Sequence, residues 1–170
     1  MSQALLLRPP PSGCWTIEDV VALDEVEGLR FELHEGVLLV LPLSWGHHAV
    51  AVSEVQGHFF GSERESFFGI GIGIGERSLY LPDITVLREG AELEPDQCVF
   101  SPAIVEIVVE VVQQTSEDMD RLVKPLAYAR AGVPHFWRVE RTPESHVVWK
   151  HDLRGGAYQL TGVVPIEALN

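Results

Sequence analysis

The feature that most constrains the fold is a run of nine residues, IVEIVVEVV, at positions 104–112. Seven of its side chains are branched aliphatics, and continuous runs of this kind are typical of β-strands covered on both faces, as in α/β sheets. The run therefore predicts the buried central strand of an α/β domain. The chain has 170 residues, enough to bury a core without disulfides or structural metals.

Two glutamates interrupt this run, and a carboxylate in an apolar strand needs compensation. Desolvating a lone carboxylate is costly unless the acid is protonated, pairs with a cation or binds a metal. The strand period of two places Glu106 and Glu110 on one face, about 13 Å apart at roughly 3.3 Å per residue, too far apart to share one ion. Glu110 lies at the carboxyl end of the strand, where open α/β sheets bind ligands, and is open to a functional or a structural interpretation. Glu106 is better explained as a solvated strand edge.

A second acid, Asp83, stands at the start of another buried-looking strand in the segment LPDITVL, residues 81–87. Aspartate is disfavoured in strands, and Pro82–Asp83 alone is a common turn pair. Followed by Glu110 and then by a helix that carries Lys124, however, the order acid, acid, lysine has a chemical meaning. Two carboxylates suit a hard cation such as Mg²⁺, which polarises a phosphoryl group and activates water. An ammonium then orients that water or stabilises the transition state.

Two interpretations of Lys124 are open. Apolar residues spaced i, i+3, i+4 and i+7 predict the buried stripe of a helix over residues 117–131. These residues are Met119, Leu122, Val123 and Leu126. Lys124 lies off this stripe, on a polar face with Asp120 and Tyr128, which favours an ordinary solvated ion pair. Pro125 is expected to bend or divide the helix and so to disturb the pattern.

Elsewhere the sequence predicts a short helix near residues 16–23, a hairpin and a glycine-rich strand. The hairpin turns at residues 34–36, where a glycine is able to take positive φ. In FFGIGIGIGERSLYLPDITVL, glycine alternates with isoleucine, but the spacing does not match the phosphate-binding pattern G-x-G-x-x-G. The alternation predicts a strand with one bare face that allows close backbone approach. Ser44 is the predicted cap of a helix that runs to about Phe60.

Charge narrows the class of function. The formal net charge of −13 argues against broad nonspecific attraction to nucleic acid, which depends on Lys and Arg. Residues 1–115 carry 18 acids and 5 Lys or Arg, whereas residues 116–170 carry 7 of each. The two lysines of the chain are Lys124 and Lys150. A nucleic-acid enzyme with this charge needs divalent cations and a local basic rim.

The chain is expected to form one domain at residues 15–170, after a loose proline-rich lead-in at residues 1–14. Cys14 and Cys98 have no ligand-like spacing, and the sequence has no secretory pattern, which together favour a reducing cytoplasm. No stretch of the sequence approaches the roughly 20 apolar residues that a membrane span needs.

Four segments of the sequence carry a family resemblance. They are FELHEGVLLVLPLSWGHHAV, LPDITVL, VVEVV and DRLVKPLAYARAGVPHFWRVE. Together they resemble the Uma-two family of bacterial restriction-endonuclease-like proteins, a branch of the PD-(D/E)XK nuclease superfamily. The resemblance runs from about residue 15 to residue 150 and is most specific in the last segment. It implies an α/β restriction-endonuclease-like core with a central mixed β-sheet flanked by helices, an Mg²⁺ site that also accepts Mn²⁺, hydrolysis of DNA phosphodiester bonds by an endonuclease, and a homodimer.

By this resemblance, Asp83 is the first acid of the superfamily motif and Glu110 the second, and both bind the metal. The superfamily lysine that follows the second acid by two residues is here Val112. Its catalytic role is expected to move to Lys124 on the next helix.

Secondary candidates come from the same resemblance. Glu35 lies in the turn after the first strand, where similar proteins often carry an acid, and its carboxylate would hold a metal-bound water; a plain turn-tip acid is the alternative. A histidine at the start of the next helix, His47 or His48, would reach a phosphate or a base. Adjacent histidines point in different directions, so at most one is expected to do so, and His47 is the first candidate.

A competing class is a catalytically decayed nuclease fold that acts as a non-enzymatic, dimeric nucleic-acid-binding or interaction module. The family usually follows its strand acid with a Ser-Pro turn, and here Gln113 and Gln114 stand at those positions. These two residues and the acidic charge favour the competing class.

Overall fold

The structure is a computed structural model that describes residues 7–43, 46–60 and 64–169. Within these residues, eleven strands form two mixed β-sheets. The first sheet has the order β2-β1-β5-β4-β7 and consists of β1 (Leu29–His34), β2 (Val37–Pro42), β4 (Gly71–Ile74), β5 (Ser78–Tyr80) and β7 (Val99–Phe100). The second has the order β11-β10-β9-β8-β6-β3 and consists of β3 (Ser66–Phe67), β6 (Ile84–Leu87), β8 (Val105–Val111), β9 (His135–Arg141), β10 (His146–Arg154) and β11 (Ala157–Pro165). The predicted α/β class with a mixed sheet is confirmed, and the first sheet is an addition to it.

The helices are few and short. They are α1 (Ile17–Val21), α2 (His47–Phe59), a π-helical segment (Met119–Val123) and, continuing from it, α3 (Lys124–Arg130), together with single 3-10 turns at Pro102–Ile104 and Ile166–Ala168. Among the described helices, none is long and apolar enough to cross a membrane. The predicted cap Ser44 and residues 1–6 of the predicted lead-in lie outside the described residues.

The predicted first helix and hairpin are confirmed. The amide of Asp19 donates to Thr16 Oγ1 at 3.2 Å, and the amide of Thr16 donates to Asp19 Oδ2 at 2.9 Å, so the two residues cap α1 reciprocally. Strands β1 and β2 pair antiparallel from Leu29↔Pro42 to His34↔Val37. The turn between them places both of its residues at positive φ, 49° at Glu35 and 87° at Gly36, as a two-residue hairpin turn requires.

The run at residues 104–112 forms β8, the centre of the second sheet. It pairs antiparallel with β6 and parallel with β9. Ile107, Val109 and Val111 pack in one core cluster with Ala51, Val55 and Phe59 of α2. Val108 packs on the opposite face with Tyr128 of α3. Both faces of the strand are therefore covered, as its continuous apolar sequence predicts.

The glycine-rich strand has the expected bare face. A Cβ atom at Gly71 would lie 2.6 Å from Leu79 Cδ1, and one at Gly73 would lie 2.9 Å from Val99 Cγ1. These distances are shorter than carbon–carbon contact allows. The glycines therefore let the neighbouring side chains pack directly on the backbone of β4.

The helical region after β8 departs from its predicted orientation. Pro125 divides it as expected: the backbone is π-helical before Lys124, whose N–H donates to Met119 O five residues earlier, and α-helical after it. The predicted buried stripe is wrong, because Leu122 and Leu126 are 66% and 51% exposed. The polar face is buried instead. A π-helical turn holds more residues than an α-helical one. Residues after it therefore face different directions from those that a helical wheel of 3.6 residues per turn assigns to them.

Candidate active site

Two strand ends bring the predicted acids together. Asp83 precedes β6, and Glu110 is the penultimate residue of β8. The antiparallel register pairs Ile84 with Val109, and the same register extended by one residue sets Asp83 opposite Glu110. Residues directly opposite each other share a face, with Cβ atoms about 5 Å apart. Asp83 Oδ2 also accepts the N–H of Val111 at 2.7 Å, which anchors the aspartate to the end of β8.

Lys124 is buried among carboxylates. Its Nζ lies 3.2 Å from Glu32 Oε1, 3.2 Å from Glu110 Oε2 and 3.4 Å from Asp120 Oδ1, and the side chain is 1% exposed. The interpretation as a solvated ion pair is therefore wrong, although the predicted i, i+4 contact with Asp120 is present. A lysine ammonium has three N–H donors, and three carboxylates surround this one.

Tyr128 and Ser116 complete the contacts of these carboxylates. The Tyr128 hydroxyl, fully buried, donates to Glu110 Oε1 at 2.8 Å. The Ser116 hydroxyl donates to Asp120 Oδ2. Both oxygens of Glu110 therefore have protein partners. We refer to Glu32, Asp83, Glu110, Asp120 and Lys124 as the acid–lysine cluster.

Burial dominates the electrostatics of the cluster. Burial raises the pKa of Glu110 well above its ordinary value; Lys124 opposes this shift, and the neighbouring carboxylates Asp120, Asp83 and Glu32 add to it. Burial likewise raises the pKa of Asp120, again against the pull of Lys124. For Lys124, burial alone would lower the pKa, but the surrounding carboxylates, Glu110 foremost, raise it above its ordinary value. The raised pKa favours the protonated form of Lys124, and its positive charge is shared among the surrounding carboxylates.

The cluster carries more negative than positive charge when its acids are ionised. Four buried carboxylates stand against two cations, Lys124 and Arg30, whose Nη1 lies 3.7 Å from Asp83 Oδ1. Glu32 Oε2 is buried and has no hydrogen-bond donor within the described residues. An excess of two negative charges on oxygen atoms has the chemistry of a site for a hard divalent cation.

The arrangement of these oxygens limits how such an ion would bind. In the part of the chain that the structure describes, no three His, Cys, Asp or Glu side chains form a metal-ligand group. Three of the carboxylates converge on Lys124 Nζ instead. Mg²⁺ is usually held by one or two carboxylates together with water and phosphate oxygens. Asp83 and Glu110 are therefore the two carboxylates that could hold Mg²⁺ together with water and phosphate oxygens.

Of the secondary candidates, one histidine contacts the cluster and Glu35 does not. His48 contacts the cluster, because its Nε2 lies 3.1 Å from Asp83 Oδ1. His47 is exposed and lines a neighbouring cleft. Glu35 is an exposed residue at the hairpin tip, and its backbone N–H donates to Ser78 Oγ at 3.1 Å. The structure thus brings His48 to the site in place of His47 and leaves Glu35 as a turn residue.

Glu32 and Arg30 are the site residues that the sequence predictions missed. They share one face of β1 because they are two residues apart. Glu32 is fully buried, and its Oε1 also accepts the N–H of Leu81 at 3.3 Å. The signal was present in the segment LRFELH, where an acid sits between Phe31 and Leu33, as Glu110 sits between valines. Glu106, in contrast, is partly exposed and lies 3.8 Å from Arg88 and 3.5 Å from His135, as a strand-edge acid should.

Comparisons with known proteins identify the family and the fold of the chain. The model of the Uma2 family, described as "Putative restriction endonuclease", matches residues 17–169. Among solved structures, the chain is similar to a protein from Anabaena variabilis ATCC 29413, described as "a putative nuclease belonging to DUF820", with a TM-score of 0.64 and 16% sequence identity. That match covers 91% of this chain and 97% of the other, and it shows the restriction-endonuclease-like fold. No match was found among curated proteins. On the strength of the family match, the chain belongs to the Uma2 family.

Proposed function

We propose that this chain is an Mg²⁺-dependent endonuclease that hydrolyses phosphodiester bonds of DNA, with Mn²⁺ able to replace Mg²⁺. The observation that carries the proposal is the pair Asp83 and Glu110, which the β6–β8 register sets side by side at two strand ends. Lys124 contacts the second of these acids. The family and the fold are those of restriction-endonuclease-like proteins, and the site has the residue types that their chemistry needs.

The roles follow from the contacts. Asp83 and Glu110 would hold the ion, which when bound polarises the phosphoryl group and lowers the pKa of an attacking water. His48 and Arg30 lie beside Asp83 Oδ1 and fix that carboxylate from the other side. Tyr128 fixes Glu110 in the same way through its hydroxyl. These contacts preorganise the two acids, and little rearrangement is then needed at the moment of reaction.

Lys124 supplies positive charge at the base of the site. Its three donors face Glu32, Glu110 and Asp120, so the ammonium offsets their repulsion and orients Glu110. The same charge would lie near a phosphate bound by an ion at Glu110 and Asp83, and it would stabilise the negative charge that develops on that phosphate.

A second candidate function is the decayed nuclease fold, acting as a dimeric nucleic-acid-binding or interaction module. One observation favours it: three protein carboxylates lie within 3.4 Å of the Lys124 ammonium, and two of them accept its hydrogen bonds. A buried ion-pair network of this kind can stabilise a fold without any catalysis.

Metal titration separates the two functions. Calorimetry with Mn²⁺ should show weak binding to the wild type and a loss of that binding in Asp83→Asn, which keeps the shape of the side chain but removes its charge. Asp96→Asn, an exposed aspartate in the loop before β7, is the matched control and should bind as the wild type does. Equal heats for wild type and Asp83→Asn would reject the site. Plasmid cleavage in Mg²⁺ by the wild type and by Asp96→Asn, but not by Asp83→Asn, would support the enzyme.

The proposal includes a homodimer in the cytoplasm. Sedimentation velocity of the full chain at micromolar concentration tests the assembly, for which a single species near twice the mass of 18.9 kDa is expected. A species at the monomer mass across the concentration range would reject the dimer while leaving the nuclease site untouched.

A further inference from the structure

A cleft of about 830 Å³ opens beside the acid–lysine cluster. It is bounded by the start of α2, by the loop that follows β8 and by the β9–β10 hairpin, and we call it the hairpin cleft. Its size is within the range of sites that hold small ligands or parts of larger ones.

The hairpin cleft is continuous with the site. His48 lines it, and His48 Nε2 lies 3.1 Å from Asp83 Oδ1. Val111 also lines it, and the Val111 amide donates to Asp83 Oδ2 at 2.7 Å. A strand whose scissile phosphate lies at Asp83 therefore passes directly into this cleft.

The cleft contains a cation that the rest of the protein does not neutralise. Of the two arginines that line the cleft, Arg121 lies 3.3 Å from Glu117 and 3.0 Å from Glu140, so these carboxylates offset its charge. Arg141, exposed at the end of β9, forms no ion pair with any residue that the structure describes. In a chain with a net charge of −13, an unpaired arginine beside the site is the local basic element that binding of a polyanion needs.

Two histidines add further hydrogen-bond donors to the cleft beside Arg141. His47 and His146 both line the hairpin cleft together with Arg141. Burial lowers the pKa of His146, and the carboxylates of Glu54 and Glu167 act on it as well as the charges of Arg141 and His47. Imidazole and guanidinium N–H groups are the usual donors to phosphate oxygens.

A second cleft, of about 800 Å³, meets Asp83 from the other side and has the opposite character. Asp24, Glu25 and Glu27 line it together with apolar side chains such as Leu23 and Phe68. Carboxylates repel phosphates, so the second cleft does not accommodate the backbone of a nucleic acid. Because of this difference in charge, we expect the nucleic-acid backbone to run from Asp83 into the hairpin cleft and not into the second cleft.

We propose that the hairpin cleft binds the phosphodiester backbone of the DNA beside the scissile bond, with Arg141 as the main phosphate contact and His47 and His146 as additional donors. This inference rests on the nuclease function proposed above and assigns its substrate-binding surface.

The test is the affinity for a fluorescently labelled DNA oligonucleotide, measured by anisotropy on the full chain in Ca²⁺, which takes the same oxygen ligands as Mg²⁺. Arg141→Gln is compared with Arg154→Gln, which makes the same charge change. Arg154 is 61% exposed and lies eight residues along β10 from His146, about 26 Å away at roughly 3.3 Å per residue. Arg141→Gln should weaken binding on the order of tenfold and reduce the slope of log Kd against log salt by about one. Arg154→Gln should do neither, and Arg141→Lys should restore most of the affinity.

Three results would overturn the inference: no binding by the wild type, equal affinities for Arg141→Gln and Arg154→Gln, or an Arg141→Gln salt slope equal to that of the wild type. Cleavage of the same oligonucleotide by the wild type in Mg²⁺ is scored separately. Cleavage with no effect of Arg141→Gln leaves the nuclease standing and rejects the cleft. A clear Arg141→Gln effect without cleavage supports the cleft as a DNA-binding surface and rejects the nuclease.

Discussion

Lys124 Nζ lies 3.2 Å from Glu32 Oε1, although 92 residues separate the two in the chain. Both side chains are buried to within 1% of full burial. The contact joins α3 to β1 of the first sheet, whereas the contact of Lys124 with Glu110 joins it to β8 of the second. The lysine therefore has a structural role in addition to the catalytic one that the family resemblance implies.

Replacing the lysine should cost stability first. Lys124→Ala leaves Glu32, Glu110 and Asp120 buried without their shared cation, and breaking a buried ion pair in this way costs about 3 to 5 kcal/mol. Urea unfolding followed by circular dichroism measures the loss. Lys150→Ala is the control, because Lys150 lies 4.2 Å from the ring of Trp137 and its loss should cost about 1 kcal/mol. Equal effects of the two substitutions would show that the charge of Lys124 is not needed for the fold.

Activity is therefore better tested with a variant that keeps the charge. Lys124→Arg retains the cation but presents a planar fork that three converging carboxylates do not fit. Single-turnover cleavage of plasmid DNA in Mn²⁺ should fall on the order of a hundredfold, corresponding to roughly 3 kcal/mol of barrier. Lys150→Arg serves as the control and should cleave as the wild type does. Normal cleavage by Lys124→Arg would assign the lysine to the fold alone.

The hydroxyl of Tyr128 is predicted to act on the metal site through Glu110. Tyr128→Phe removes only the hydrogen bond to Glu110 Oε1, and losses of such supporting contacts typically lower metal affinity about tenfold or more. Calorimetry with Mn²⁺ measures the change. Tyr158→Phe is the matched control, since its hydroxyl donates to Val133 O at 2.9 Å, away from the cluster. Both variants should lose some stability, but only Tyr128→Phe should lose affinity for Mn²⁺.

DNA binding is predicted to need the divalent ion and to weaken steeply with salt. The excess of acids in residues 1–115 repels phosphates unless an ion at Asp83 and Glu110 bridges them. Anisotropy in Mg²⁺ or Ca²⁺ and then in EDTA measures the dependence, from about 50 to 200 mM salt. Tight binding in EDTA at moderate salt would contradict the bridging ion and would indicate a separate basic surface.

The central strand and its two acids could be predicted because the evidence for them is local. Nine consecutive residues define β8, and a period of two decides which face each side chain takes. Asp83 was found by the same reasoning, from an acid at the start of a branched run. The pairing of Asp83 with Glu110 then needs only that two neighbouring strands meet in register.

The environment of Lys124 could not be predicted because its causes are distant or irregular. A helical wheel assumes 3.6 residues per turn and an apolar buried face, and the π-helical turn and the acids around Lys124 violate both assumptions. Its partner Glu32 is 92 residues away, so no local pattern connects them. The sequence could not separate His47 from His48 for a related reason, since adjacent residues on a helix face different directions and those directions depend on how α2 packs.

The contact between Lys124 and Glu32 has a consequence for how relatives of this protein are compared. Because the lysine holds the two sheets together, selection for a folded chain retains it in a lineage whether or not that lineage still cuts DNA. Its presence in another sequence is therefore a marker of ancestry rather than of activity. Asp83, His48 and Arg30 are mostly buried as well, with side chains that are 6%, 11% and 17% exposed, but the ion pairs of Lys124 are with the other three carboxylates of the cluster. A substitution at one of these three positions would leave the contacts of Lys124 with both sheets in place. It would therefore be an earlier sign of lost activity than a substitution of Lys124.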